Sequence, residues 1–142
     1  MECTLTAVAE RELFVSWTTG GQLEPLCGNF TRAARSLDGG ATWSAPHTLF
    51  SHPSKGTFTP RVSLHGGVVY AFPGTYRDNS HFAEDFMAYI SESRDGARTF
   101  SAPRSLPGIV PSVHVKQTMA LGGRLLVFCS FREIVGEQWA AP

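Results

Sequence analysis

Apolar residues along this chain come in short strand-like runs broken by glycine or polar turns, and no window of about 11 residues carries the apolar period of a helix. Leu5 to Val8, the polar turn Glu10-Arg11-Glu12 and Leu13-Phe14-Val15-Ser16-Trp17 read as two strands joined by a turn. Arg61-Val62-Ser63-Leu64-His65-Gly66-Gly67-Val68-Val69-Tyr70-Ala71-Phe72 is a clearer hairpin, two strand runs around a glycine turn. It returns further along as Thr118-Met119-Ala120-Leu121-Gly122-Gly123-Arg124-Leu125-Leu126-Val127-Phe128. The second strands, Val68 to Phe72 and Leu125 to Phe128, are apolar enough to be buried on both faces between neighbouring sheets. The pattern predicts an all-β fold.

A second repeat runs in step with the first. Ser36-Leu37-Asp38-Gly39-Gly40-Ala41-Thr42-Trp43-Ser44-Ala45-Pro46 recurs as Ser93-Arg94-Asp95-Gly96-Ala97-Arg98-Thr99-Phe100-Ser101-Ala102-Pro103, with seven of eleven positions identical. Each unit then reads strand, turn, strand, long loop, strand, Asp-Gly turn, strand, the four antiparallel strands of a propeller blade. Asp38 and Asp95 are placed to cap the free N–H groups of their turns, as an Asx-turn does. Gly39 and Gly96 follow where positive φ costs least. Ser36, Ser93, Thr42 and Thr99 reach back across the same turns, and Trp43 and Phe100 are expected to plug between sheet layers. Ala97 stands where the first copy has Gly40, which predicts a more strained second turn. Calcium needs about 6–8 oxygen ligands and each motif offers one carboxylate, so these aspartates read as turn builders, with no metal site.

Ser-x-Asp-x-Gly-x-Thr-Trp resembles the Asp-box, or BNR repeat, of the sialidase (neuraminidase) superfamily. Ser36, Asp38, Gly40, Thr42 and Trp43 match every defined position; the copy at Ser93, Asp95, Gly96, Thr99 and Phe100 differs by Ala97 and by Phe for Trp. Leu49 and Leu106 beyond the Ser-Ala-Pro segments are also similar to sialidase repeats. The resemblance covers nearly the whole chain. It implies a β-propeller of sialidase type, about two and a half four-stranded blades of a six-bladed ring. Their approximate bounds are 4–50, 58–107 and, incomplete, 112–142. It further implies a glycoside hydrolase of exo-α-sialidase type that removes a terminal acidic sugar with retention and without a cofactor. An arginine triad clamps the sugar carboxylate, a tyrosine paired with a glutamate is the nucleophile, and an aspartate is the acid/base. Asp-boxes also occur in non-catalytic propellers, so a module that binds a glycan or a protein is the alternative.

Recurring positions give the candidate site. Thr75-Tyr76-Arg77-Asp78 and Ser130-Phe131-Arg132-Glu133 both read hydroxyl, aromatic, arginine, acid after the second strand of a unit. Measured from the Gly-Gly turns the two differ by one residue, which a bulge at Gly74 would absorb. The family's first arginine lies in a Phe-Arg-Ile-Pro motif, absent here; the nearest segment is Phe58-Thr59-Pro60-Arg61. Arg61, Arg77 and Arg132 are therefore the substrate-binding candidates. Asp78 and Asp85 are the acid/base candidates, in a loop comparable to that of the sialidase aspartate, and Tyr76 is the tyrosine beside them. The competing reading of Arg77–Asp78 and Arg132–Glu133 is surface ion pairs worth at most about 1 kcal/mol each. His47, His52, His65 and His81 fall in loops or turns without metal-ligand spacing, and His114 precedes an inner strand.

Composition narrows the partners. Twelve basic and twelve acidic residues give zero net charge, without the positive face that nucleic acid or a polybasic membrane contact wants. No apolar run approaches the ~20 residues of a membrane span. Cys3, Cys27 and Cys129 are too few and too spread for a disulfide framework and read as small buried hydrophobes; Asn29-Phe30-Thr31 fits a glycosylation sequon. The first residues show no signal peptide, which implies a cytoplasmic protein if Met1 is the native start. A length of 142 residues suits one domain by size alone. The repeat asks for more: propellers close with about 4–8 blades. An open stack leaves its first and last faces bare, so the rest of a longer propeller or a second copy is expected to complete the ring.

Overall fold

The computed structural model describes residues 2–21, 26–77, 86–106, 113–131, 134–135 and 138–139. Among them there is no helix, and every paired strand is antiparallel to its neighbour. The first sheet has the order β1 (Cys3–Ala7), β2 (Leu13–Thr19), β3 (Phe30–Ser36), β4 (His47–Phe50). The second repeats it with β5 (Gly56–His65), β6 (Val68–Tyr76), β7 (Met87–Ser93) and β8 (Arg104–Ser105). A third sheet pairs β9 (Val113–Leu121) with β10 (Arg124–Phe131), and β11 (Ile134–Val135) pairs with β12 (Gln138–Trp139).

Chain chemistry explains the meander. Gly66 and Gly67 take φ of 56° and 76°, and Gly122 and Gly123 take 57° and 74°. Two consecutive positive φ values are what a two-residue hairpin turn needs to match the twist of its strands, and only glycine adopts them freely. The polar turn after β1 closes by the Glu12 carbonyl, which accepts from the Val8 N–H at 2.9 Å.

Packing follows the alternation. In β6, Val69 and Ala71 face the first sheet, joining Val8, Phe14, Ala33 and Phe50 in one core. Tyr70 and Phe72 face the other way and pack with Val113, Val115, Leu125 and Val127 of the third sheet. The apolar run of β6 is therefore covered on both sides, as the pattern predicted. The first strands touch in series, β1 against β5 and β5 against β9, which gathers them on one side of the stack. Hydroxyls fill part of the first junction: Thr18 Oγ1 lies 2.7 Å from Thr59 Oγ1, and Thr31 Oγ1 lies 3.1 Å from Thr57 Oγ1, all four buried. The cysteines are not the buried hydrophobes expected. Cys129 is exposed and Cys27 half-buried, and Cys3 is exposed on the side of β1 that it shares with Leu5.

The register shifts of the inner strands differ from the expected one. Gly74 pairs regularly with Phe58 and Ala88, and the irregularity lies in β5 between Phe58 and Arg61, where Thr59 and Pro60 form the extra length. Pro73 sits opposite, where it can donate nothing to a ladder. What Gly74 supplies is room, since a Cβ there would come within 2.5 Å of the Phe86 ring. In the third sheet the extra residue also belongs to the first strand: Lys116 stands between Gln117 and Val115, the partners of the consecutive Phe128 and Cys129.

Candidate functional site

The two Asp-Gly turns are built from one set of bonds. In the first, Ser36 Oγ donates to Asp38 Oδ1 at 2.8 Å and accepts from Gly40 N at 2.8 Å. The carboxylate also accepts twice from Thr42, N–H to the same Oδ1 at 2.9 Å and Oγ1–H to Oδ2 at 2.6 Å. In the second, Ser93 Oγ donates to Asp95 Oδ1 at 2.7 Å and accepts from Ala97 N at 2.9 Å, while Thr99 Oγ1 donates to Asp95 Oδ2 at 2.6 Å. Both carboxylates are consumed by the turn. Ala97 takes φ of 61°, the one non-glycine residue at positive φ among those described. Its methyl is buried beside Phe14 and Phe50, and that burial offsets the strain.

Donors crowding each carboxylate favour its ionised form. The Thr42 hydroxyl and N–H, with Ser36, hold Asp38 down to about 2 from 3.8. Thr99 and Ser93 hold Asp95 lower still. A carboxylate whose folded value is depressed adds stability in full above its unfolded value and loses it as pH falls through the folded one. Thermal stability is thus expected to fall between about pH 4 and pH 2. Asp95→Asn, which cannot titrate, is expected to be less stable at neutral pH and to show a shallower decline across that window. An identical slope in a calorimetric series would contradict the assignment.

The aromatic residues of the two turns have different surroundings. Phe100 lies 5.6 Å from Phe14 and 6.0 Å from Phe50 and plugs the junction of the first two sheets, as expected. Trp43 does not plug a junction. Its Nε1 donates to Gly40 O at 3.2 Å and the residue remains 42% exposed. The reason is position: it stands near Leu13 and Gly40, on the side of the first sheet turned away from the second. Beside the second turn an open groove of about 320 Å³ runs along β4, lined by His47, Leu49, Phe50, Arg98, Phe100 and Ser101 among others. Of the described candidates, Arg61, Tyr76 and Arg77 do not line it.

Tyr76 and Arg77 belong to the end where β5 starts and β6 ends. Tyr76 is fully buried there. Its hydroxyl donates to Asn29 Oδ1 at 2.6 Å, the same oxygen that accepts from Leu26 N at 2.8 Å, and Asn29 O accepts from Thr57 N at 2.9 Å. Its ring lies 4.9 Å from Phe58. The phenol of Tyr76, the expected nucleophile, is thus engaged inside the fold, clamping the loop before β3 to the start of β5. Arg77, the next residue, is exposed. Asp78, Asp85, Arg132 and His81 lie outside the described residues.

Arg61 pairs across β5–β6 with Phe72 and so shares the face turned to the third sheet. It is half-buried, and among the described residues no carboxylate or carbonyl is bonded to its guanidinium. His114 lies within β9 rather than before it, 4.7 Å from the Phe86 ring and 5.8 Å from Phe58. Lys116 Nζ stands 3.1 Å from His114 Nδ1, and an ammonium can only donate. Asn29 and Phe58 entered the sequence reading only within a sequon and a motif segment, and Phe86 and Lys116 carried no site expectation. Their signal is weak, for an asparagine in a sequon and phenylalanines at strand ends have many ordinary uses.

Arg61 thus stands on β5 and Lys116 on β9, Arg77 follows β6, and the rings of Phe58, Phe86 and His114 pack on one another. No family model and no curated protein matches the chain.

Proposed function

We propose that the three sheets are consecutive blades of an Asp-box propeller of sialidase type, and that the protein is a glycoside hydrolase removing a terminal acidic sugar from glycans. The observation that carries this reading is Arg61, a half-buried residue whose guanidinium has no bonded acceptor among the described residues, on a first strand where the sheets gather. A guanidinium presents a planar fork that matches a carboxylate, which is how an acidic sugar would be held. The four-stranded repeat, the first strands in series and the identical wiring of the two Asp-Gly turns support the propeller part.

One observation favours a second reading, an Asp-box module that binds an acidic glycan without cleaving it. Tyr76, the tyrosine beside the acid candidates, has its hydroxyl donated to Asn29. Titration with 3′-sialyllactose and turnover of a fluorogenic sialoside distinguish the two. Binding with turnover supports the hydrolase, binding without turnover the module, and no binding removes both. Arg61→Ala is expected to weaken sialyllactose binding about 10- to 100-fold, the worth of hydrogen bonds to a charged group. Unchanged affinity in that variant would take Arg61 out of the site.

A further inference from the structure

The groove along β4 has no part in the proposed hydrolysis. Its volume of about 320 Å³ lies within the range of ligand-holding clefts, about 300–1,000 Å³. All four residues of β4 line it, together with residues 98–103, the segment that leads from the second Asp-Gly turn to β8.

Backbone chemistry narrows what fits there. β4 is the last strand in the order of its sheet and, among the described residues, pairs with β3 alone. A strand paired on one side keeps alternate N–H and C=O groups free along its other edge, and the partner that satisfies such a row is another extended segment.

Side chains narrow it further. Leu49 and Phe100 pack on the core of the first junction and remain half-buried, which leaves apolar surface in the groove. Around them stand donors. Arg98 NH1 donates to Asp95 O at 2.8 Å, the one bond of that guanidinium among the described residues. The exposed side chains of His47 and Thr48 are bonded to no described residue. No aspartate or glutamate lines the groove. The carboxylate of Asp95 is engaged by Ser93 and Thr99, and that of Glu12 by Arg35. A donor rim without a carboxylate complements acidic side chains.

We propose that this groove binds an extended acidic peptide segment of a partner protein. The segment adds to the first sheet beside β4, with an apolar side chain against Leu49 and Phe100 and a carboxylate on Arg98. Backbone pairing supplies affinity, and the apolar and cationic contacts supply selectivity. The site is independent of Arg61.

Fluorescence anisotropy on the full chain tests this with the labelled hexapeptide Thr-Val-Glu-Val-Glu-Val. Saturable binding is expected, weakened about 10-fold when lysine replaces both glutamates and at least as much when every backbone nitrogen of the peptide is methylated. Arg98→Ala is expected to weaken binding of the glutamate peptide about 10-fold, the worth of hydrogen bonds to a charged group. Arg98 is exposed, so far-UV circular dichroism is expected to be unchanged in that variant. Arg94→Ala, which removes an exposed arginine of the same turn that does not line the groove, is expected to bind as the wild type does. No binding of the glutamate peptide overturns the proposal. Equal binding of the methylated or the lysine form does so too, as does an equal loss in the two arginine variants. Dimers seen by light scattering that exclude the peptide would overturn it in favour of a second copy of the chain.

Discussion

Phe14→Ala is expected to destabilise the fold by about 3–5 kcal/mol, the range for deleting a fully buried phenylalanine. Phe14 has no exposed surface, lies near the start of β2 and takes the Phe100 ring from the neighbouring sheet. Removing it costs the transfer term and leaves a void between two sheets whose strands are hydrogen-bonded and slow to collapse. With a urea slope of about 2 kcal/mol per M, the unfolding midpoint followed by circular dichroism is expected to drop by about 2 M. Leu37→Ala is the control: Leu37 is mostly exposed, and its change is expected to stay within about 0.5 kcal/mol. A Phe14→Ala midpoint no lower than that of Leu37→Ala would show that the first junction is not the core of the molecule.

Gly56→Ala is expected to cost about 3 kcal/mol for a different reason, overpacking. A Cβ at Gly56 would overlap the Leu26 carbonyl oxygen and lie 2.6 Å from the Tyr76 ring. Neither can retreat cheaply. Leu26 N and the Tyr76 hydroxyl are both bonded to Asn29 Oδ1, so moving either breaks a buried or half-buried hydrogen bond. Gly66→Ala provides the comparison, because Gly66 has positive φ and open space around it. That substitution carries only the left-handed backbone penalty, about 1–2 kcal/mol. Denaturation midpoints are therefore expected to rank wild type, Gly66→Ala, Gly56→Ala. The reverse order of the two variants would mean that the clamp around Asn29 gives way easily.

Both effects show where reading from sequence stops. The importance of Phe14 was half legible, for it lies in an apolar strand run, yet its partner Phe100 is remote along the chain and comes from the other repeat. Gly56 carried no signal. It has neither a turn conformation nor a motif, and its constraint comes from a loop and a tyrosine remote in sequence.

The Asp-Gly turns were legible almost bond by bond. Ser36, Asp38 and Thr42, like Ser93, Asp95 and Thr99, are near neighbours in the chain, so the spacing alone brings hydroxyl to carboxylate. The same holds for the Gly-Gly hairpins and for the two-sided burial of Val68 to Phe72. The candidate site was legible only in part. Hydroxyl, aromatic and arginine recur after the second strand, but recurrence does not say which way Tyr76 points.

The all-β class, the internal repeat and the turn chemistry were thus determined by the sequence itself, because each rests on interactions among neighbours in the chain or on a two-residue period. Tertiary structure decided the rest. It buried Phe100 and left its counterpart Trp43 exposed, turned the Tyr76 hydroxyl inward to Asn29, and left Arg61 without a bonded acceptor among the described residues. Equivalent residues in a repeat share a local conformation, but their burial depends on which sheet lies against them, and that is a property of the stack rather than of the motif.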